Sequence, residues 1–474
     1  MNMYSDVVEI AKRRGFFWPS FSIYGGFSGL YDYGPLGVLL KDNIINKWKK
    51  AYLDEGAIFI DTPNITPGEV FDASGHLSRF SDIAAECDSC KSKFKIENVL
   101  AFNKIEIIPK SVDEALSISE KNNLKCPVCG NIIKKIYNYN LMFRLENSNF
   151  YLRPETAQGI FVNFKLLSNY YRGKLPMAVA QLGKGFRNEI SPRQSLIRLR
   201  EFSQGEVEVF FDPENEYWKD LFDYDEITLK PNTGVEYKTS IKNAFENRII
   251  DNIAMAYFIL KTQKILNDIG FKNDNIRFRQ HDPDERAHYA SDSWDAEARI
   301  DDDWVEIVGI ANRTNYDLKN HDAKSSERMS LKINNRDVIP NVIEPSYGID
   351  RITLALMVQS YHKNEKGYNV LSFKPEMAPY HFAVLPLIKK ENFIKKSMEI
   401  YNMIMSIDSY VYYDETGSIG KRYSRQDEIG TPFCITIDYE TLENDSVTVR
   451  FRDTGNQERI DKKDLLDYLS GKLK

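Results

Sequence analysis

The β-patterned segments of this chain follow one another through loops and hairpins rather than through regularly spaced helices, and that limits the possible folds more than any other feature. MAVAQLGKGF, EVEVFF, AEARI and WVEIVGI succeed one another in this way between Met177 and Ile310. Parallel neighbours need a crossover of a dozen or more residues, usually helical, whereas antiparallel neighbours need only a turn. An antiparallel sheet in an α+β domain is therefore expected.

A chain of 474 residues exceeds the roughly 250–300 that one core organises, so two or three domains are expected. Leu36, Leu39, Leu40, Ile44, Trp48 and Tyr52 recur at helical spacing, and AIFIDTP then alternates as a strand. Ser5 is placed to cap a first short helix that Gly15 ends. Near Pro375 the pattern changes. HFAVLPL, YVYYDE, FCITIDYE and VTVRFRD interleave with helical stretches from Asn392 to Met405 and from Lys462 to Leu469, as in a separate small α/β domain.

Hydrophobic residues at 42% and charged residues at 28% exclude a disordered or fibrous chain. No apolar run approaches the roughly 18–20 residues that span a bilayer, and MNMYSDVVEIAKRRG lacks a signal core, so a cytoplasmic location without membrane contact is expected. The net charge of −6 gives no overall pull toward nucleic acid, so any RNA contact must come from local basic surface.

Four of the five cysteines form two pairs, Cys87-Asp-Ser-Cys90 and Cys126-Pro-Val-Cys129. Four thiolates are the ligand set of a closed tetrahedral zinc site, which stabilises structure and does no chemistry. A redox pair is the alternative reading. Cys434 is left as a core residue.

The stretch GKGFRNEISPRQSLIRLREFSQGEVEVFF reads as one strand ending near Arg187 and another starting near Ile197, around a loop with Ser191, Pro192 and Arg193. Alternation places Arg187 with Glu189, and Arg198 with Arg200, on shared faces. Arginines gathered on one sheet face suit phosphate, which guanidinium binds bidentately. A solvated ladder of salt bridges fits the same pattern.

The Phe-Arg-x-Glu core and arginine-rich return strand resemble motif 2 of class II aminoacyl-tRNA synthetases. IEPSYGIDRITLAL resembles their motif 3, and the long helix, the strand and Pro63 are compatible with motif 1. YDYGPLG, DASGH, RPETAQGIF, SPRQSLIRLREF, EPSYG and DEIGTPF are similar to the homodimeric glycyl-tRNA synthetases in particular, from about Phe16 to Thr454.

That resemblance implies a catalytic domain over 1–375, with insertions near 84–140, 213–275 and 318–340, and an anticodon-binding domain over 376–474. It implies ATP, glycine and tRNA(Gly) as partners, magnesium with ATP, a homodimer, and no DNA. The ATP site implied is Arg187, Asn188, Glu189, Ile197, Arg198, Leu199, Arg200, Glu201, Phe202, Glu306, Ile307, Gly348, Ile349, Asp350 and Arg351. Arg187 takes the α-phosphate, Glu189 the adenine amino group, Phe202 and Arg351 the two adenine faces. Glu306 holds magnesium, with Glu344 a second acidic candidate; a solvent-facing strand carboxylate is the plainer reading of Glu306.

The glycine site implied is Glu155, Phe202, Ser203, Gln204, Gly205, Glu206, Glu344, Pro345, Ser346, Tyr347 and Gly348, with Glu155 and Glu206 on the ammonium. Lys95 stands where the family carries an arginine, and keeps its charge without its fork. Lys421, Arg422 and Arg425 are the anticodon-loop candidates. His281 and His288 read as structural or surface residues. An inactive synthetase-like subunit would have lost the reactive arginines, and Arg187, Glu189, Phe202 and Arg351 are all present. A serine, threonine or prolyl enzyme is the nearer rival, and Glu155 with Glu206 in glycine-type motifs argues against it.

Overall fold

The computed structural model describes residues 3–192, 194–215, 217–218 and 226–473. Arg193 and part of the insertion expected near 213–275 lie outside the described residues.

A nine-stranded sheet organises the larger part of the molecule. Its strands run in the order Tyr237–Ser240, Glu226–Lys230, Ile276–Gln280, Asp292–Ile300, Asp303–Thr314, Asn341–Gly348, Glu201–Phe211, Met177–Phe186 and Ile58–Phe59. The central pairings are antiparallel, as the missing crossover helices require. Two pairings nearer the edges are parallel: Ile58–Phe59 beside Met177–Phe186, and Glu226–Lys230 beside Ile276–Gln280.

Three helices cover one face. Pro35–Leu53 starts with proline at its first turn, where a missing amide hydrogen costs nothing. It buries Leu36, Leu40, Ile44, Trp48 and Tyr52, one residue per turn. Trp48 lies so close to the Glu201–Phe211 strand that a Cβ on Gly205 would come within 2.9 Å of its ring. Ile253–Ile269, capped by Asn252, and Ile349–Ser360 complete the layer. The opposite face of the strands carries the polar side chains described below.

Two local expectations need correction. The first helix runs Met3–Arg14 and contains Ser5. Its opening amides are capped from far along the chain by Asp301, which accepts from Met3 at 2.9 Å and Tyr4 at 3.3 Å. The return strand of the arginine hairpin begins at Glu201, because Ser195–Ile197 forms a single 3₁₀ turn. Strand alternation therefore does not place Arg198 and Arg200. Arg187 and Glu189 lie just beyond their strand, which ends at Phe186.

A second sheet has the order Val411–Tyr413, Phe382–Pro386, Phe433–Ile437, Ser446–Phe451, Gln457–Asp461. Its first three strands are parallel, and Glu391–Met405 and Ile419–Ile429 supply the crossovers that parallel strands need. It has its own apolar core, with Phe382, Ile400, Ile435, Val449 and Leu465 fully buried. The two parts meet through Glu428, which accepts from Arg13 at 2.9 and 2.6 Å, from Arg14, and from Asn369 at 3.0 Å. Among the described residues, no helix is long and apolar enough to cross a membrane.

Gly37 marks the tightest approach of the long helix to the preceding segment: a Cβ there would sit 1.8 Å from the carbonyl oxygen of Phe16. Backbone cannot yield as a flexible side chain does. Gly37→Ala is expected to destabilise the larger part by about 1–3 kcal/mol, read as a lower melting temperature; an unchanged one would contradict this packing.

Candidate functional site

Alternation along two neighbouring strands builds the floor of the site. Gln204, Glu206 and Glu208 point from one strand and Glu344, Ser346 and Gly348 from the next, with Glu206 opposite Ser346 and Gln204 opposite Gly348. Two adjoining clefts open on this floor. The first is lined by Arg187, Glu189, Ile197, Arg198, Leu199, Phe202, Ser203, Glu306, Ile307, Gly348, Asp350 and Arg351, among others. The second is lined by Glu155, Glu206, Glu344, His281, Tyr289, Asp295 and Gly309, among others. Arg187, Gln204, Glu306 and Ser346 belong to both and form the wall between them.

The first cleft is cationic and aromatic. The Arg187 guanidinium lies 5.2 Å from the Phe202 ring centre and 5.4 Å from that of Phe80, within cation–π range. Arg351 donates to the Ile197 carbonyl and to both the carbonyl and carboxylate of Glu306, each at 2.9 Å. Its charge, more than any other, holds the Glu306 carboxyl below the ordinary range. Asp350 is buried beneath this cleft, where it accepts from Tyr33 at 2.6 Å and from the Ser203 amide at 2.5 Å.

The second pocket is acidic, and Glu155, Glu206, Asp295 and Glu344 on its walls are buried. Glu206 accepts from the Thr156 amide at 2.6 Å, from the Thr156 hydroxyl, from Gln204 at 2.5 Å and from Ser346 at 3.1 Å. Arg313, with 0% of its side chain exposed, donates to Asp317 at 2.8 and 3.0 Å and to Glu344 at 2.5 Å, and lies 3.7 Å from Glu155. Tyr289 covers the guanidinium face at 3.7 Å. His76 approaches Glu155 from the other side at 3.4 Å.

Burial works to raise the carboxyl of Glu155, yet His76 and Arg313 outweigh it and hold that group well below the usual range. Glu206 is raised by burial and by the charge of Glu155. Burial pushes the Glu344 carboxyl up, against the pull of Arg313. The pocket thus concentrates carboxylates around one guanidinium and has room for another cation.

Several residues expected at the site lie away from both clefts. Gly205, Pro345 and Tyr347 alternate onto the helix side, where Tyr347 meets the hydroxyls of Tyr52 at 3.0 Å and Thr262 at 3.1 Å. Ile349 is fully buried in the core. Glu201 is exposed and pairs with Lys184 at 3.3 Å. Arg200 turns toward the carbonyls of Ser28 and Glu189. The Asn188 amide bonds Leu141, outside the clefts. Glu344 lies in the second pocket, where it accepts from Arg313, and does not line the first cleft with Glu306. Lys95 is bound to Asp82 at 2.5 Å in the cysteine lobe.

Arg422 is the clearest correction. Only 1% exposed, it donates to the carbonyls of Pro386, Leu387 and Asp414, so it supports the fold and presents no charge to a partner. Arg425 is tied to Asp414 at 2.5 Å, whereas Lys421 is exposed. Residues not singled out from sequence also line the pocket or hold it: Arg313, Asp295, Tyr289, Gln158 and His76. His281, read as structural, lines it too and meets Asp295 at 2.7 Å. DASGH and the arginine of ANRTNYD carried the only available signals, and neither shows which partners are buried with them.

The four paired cysteines converge, their sulfur atoms all within 4.8 Å of one another, in a group that could hold a metal ion. Cys87 and Cys129 are 3.5 Å apart and Cys90 and Cys126 3.6 Å, close to the ~3.8 Å that a tetrahedral site with ~2.3 Å metal–sulfur bonds requires. Both pairs use one turn: the amide of the residue four after the first cysteine returns to that cysteine's carbonyl, at Lys91 and at Gly130, both with positive φ.

Comparison with known proteins agrees with this arrangement. The family model described as tRNA synthetase class II core domain (G, H, P, S and T) matches residues 139–361. The model described as anticodon binding domain matches residues 381–472. A solved prolyl-tRNA synthetase from Cryptosporidium parvum, complexed with halofuginone and AMPPNP, shares the fold at TM-score 0.60 and 13% identity, over 98% of this chain and 74% of that one. The fold and site thus define a class II aminoacyl-tRNA synthetase.

The glycine–tRNA ligase of Methanococcus maripaludis strain C5 is 38% identical over 575 positions, covering 100% of both chains. That of Methanocaldococcus jannaschii is 39% identical over 100% of this chain and 99% of its own. This chain belongs to the glycine–tRNA ligase family.

Removing Arg313 leaves Glu155, Glu344 and Asp317 buried without their shared cation. Arg313→Met is expected to cost about 3–5 kcal/mol, seen as a large fall in melting temperature. A variant as stable as the parent would show that the carboxylates find other partners.

Proposed function

We propose that this chain activates glycine with ATP in the paired clefts and transfers the glycyl group to the 3′ end of tRNA(Gly). The observation that carries the reading is the shared wall. Arg187 stands between an arginine-lined aromatic cleft and an acidic pocket. A phosphate on one side and an amino-acid carboxylate on the other would both reach its fork.

In that reading Phe202 stacks on adenine, Glu189 receives its amino group, and Arg351 covers the other face. Arg187 holds the α-phosphate against the glycine carboxylate, which favours in-line attack by positioning and by neutralising developing charge. Glu306 is the carboxylate for magnesium, which would offset charge on the phosphates and departing pyrophosphate. Glu155 and Glu206 read the ammonium. The Gln204–Ser346–Glu206 network occupies the space a side chain would need, so exclusion of alanine is steric. A terminal ribose hydroxyl then attacks the anhydride carbonyl.

The anticodon loop would meet the C-terminal part, over 376–474, with Lys421 and Arg425 as the basic contacts that remain. Residues 1–375 form the catalytic domain and the long helix part of a homodimer, as in the resembling family. Cys87, Cys90, Cys126 and Cys129 hold structural zinc.

Arg187→Ala is expected to lower glycine-dependent ATP–pyrophosphate exchange by about 100-fold or more while the fold persists. Near-normal exchange would remove Arg187 from this role. Metal analysis is expected to return one zinc per chain, lost in Cys87→Ser; a metal-free native chain would contradict the zinc assignment.

A further inference from the structure

One carboxyl under the acidic pocket has no place in the mechanism above. Glu208 is 0% exposed, two residues beyond Glu206 on the same strand face. Among the described residues, no donor reaches either of its carboxylate oxygens. The pairing that sets Glu206 opposite Ser346 and Val209 opposite Ile343 puts Glu208 across from Glu344 on the same sheet face, where directly opposed side chains lie close enough to meet. Glu344 is itself held on its other side by Arg313.

The charges leave no room for another anion. Arg313 already meets Glu155, Glu344 and Asp317. Glu206 takes its hydrogen bonds from neutral groups. An ionised Glu208 would be one more carboxylate, fully buried and set against another, with no donor of its own and only Arg313, already shared among three carboxylates, to offset it; such a charge is removed by taking up a proton. A protonated carboxyl, by contrast, supplies the donor that Glu344 lacks on this side.

We propose that Glu208 is a positioning residue of the ammonium pocket: as an uncharged carboxyl it donates its proton to Glu344 and fixes that side chain between itself and Arg313. Glu208 itself is not among the residues that line either cleft. It acts by setting where Glu344 lies on the pocket floor, next to Glu206 and Ser346. Burial and the charge of Glu344 both push the Glu208 carboxyl well above the usual range, in keeping with this protonation.

The inference rests on the proposed glycine site, and two variants of the full-length chain test it. Glu208→Gln keeps a donor and the shape of the side chain; Glu208→Leu keeps bulk and removes the donor. Glutamine is expected to hold the glycine KM within about threefold of the parent, and leucine to raise it about tenfold or more, with the ATP KM unchanged in both. Infrared difference spectra of the parent minus Glu208→Gln are expected to show a positive protonated-carboxyl C=O band, a signature that survives even if the leucine variant fails to fold. Equal loss of glycine binding in both variants, an unchanged glycine KM in Glu208→Leu, or the absence of that difference band would overturn the inference. A parent chain inactive with glycine would overturn the proposed function instead, and the infrared comparison would still report on Glu208.

Discussion

One buried guanidinium organises the acidic pocket. Arg313 reaches from its strand to Glu344 on the neighbouring strand, to Asp317 at the start of the following helix, and to Glu155 in the RPETAQGIF segment. Three separate pieces of chain are thereby fixed around one charge. In a low-dielectric interior such an arrangement is expensive to form and more expensive to break. Its worth is geometric: carboxylates that would otherwise repel one another are held where an additional small cation completes the balance.

The nucleotide-like cleft follows a different principle. Its cations are partly exposed. Arg351 is held by Glu306, and Arg187 rests between Phe80 and Phe202. Side chains of this kind can change partners when phosphate arrives. The acidic pocket, with Arg313 and Glu206 saturated by hydrogen bonds, cannot. A rigid selector beside an adaptable activating cleft suits a reaction in which the small substrate must be chosen by shape and the large one gripped by charge.

How much of this was readable beforehand depended on the range of the interaction. The helix Pro35–Leu53 was legible because its apolar residues repeat once per turn, and the cysteine cluster because ligand spacing is local. The antiparallel sheet was legible from the connections it lacks. Arg313 was not: Asp317 lies in the same short segment, but nothing in ANRTNYD shows that Glu155 and Glu344, far away in sequence, will bury the arginine with it. Arg422 failed in the opposite sense: a basic stretch looked like an RNA contact, but backbone carbonyls from the neighbouring strand end claim its guanidinium. Within the strands, the period of two separates residues that a motif runs together. Glu344 and Ser346 face the pocket, while Pro345 and Tyr347 pack against the helices.

A pocket shaped by Glu155, Glu206, Ser346 and Arg313 that admits glycine and nothing larger has a direct readout in ATP–pyrophosphate exchange run with glycine, alanine, serine and proline in turn. Exchange is expected with glycine, and background with the other three. Exchange with serine or proline at the glycine rate, or none with glycine, would contradict that selectivity.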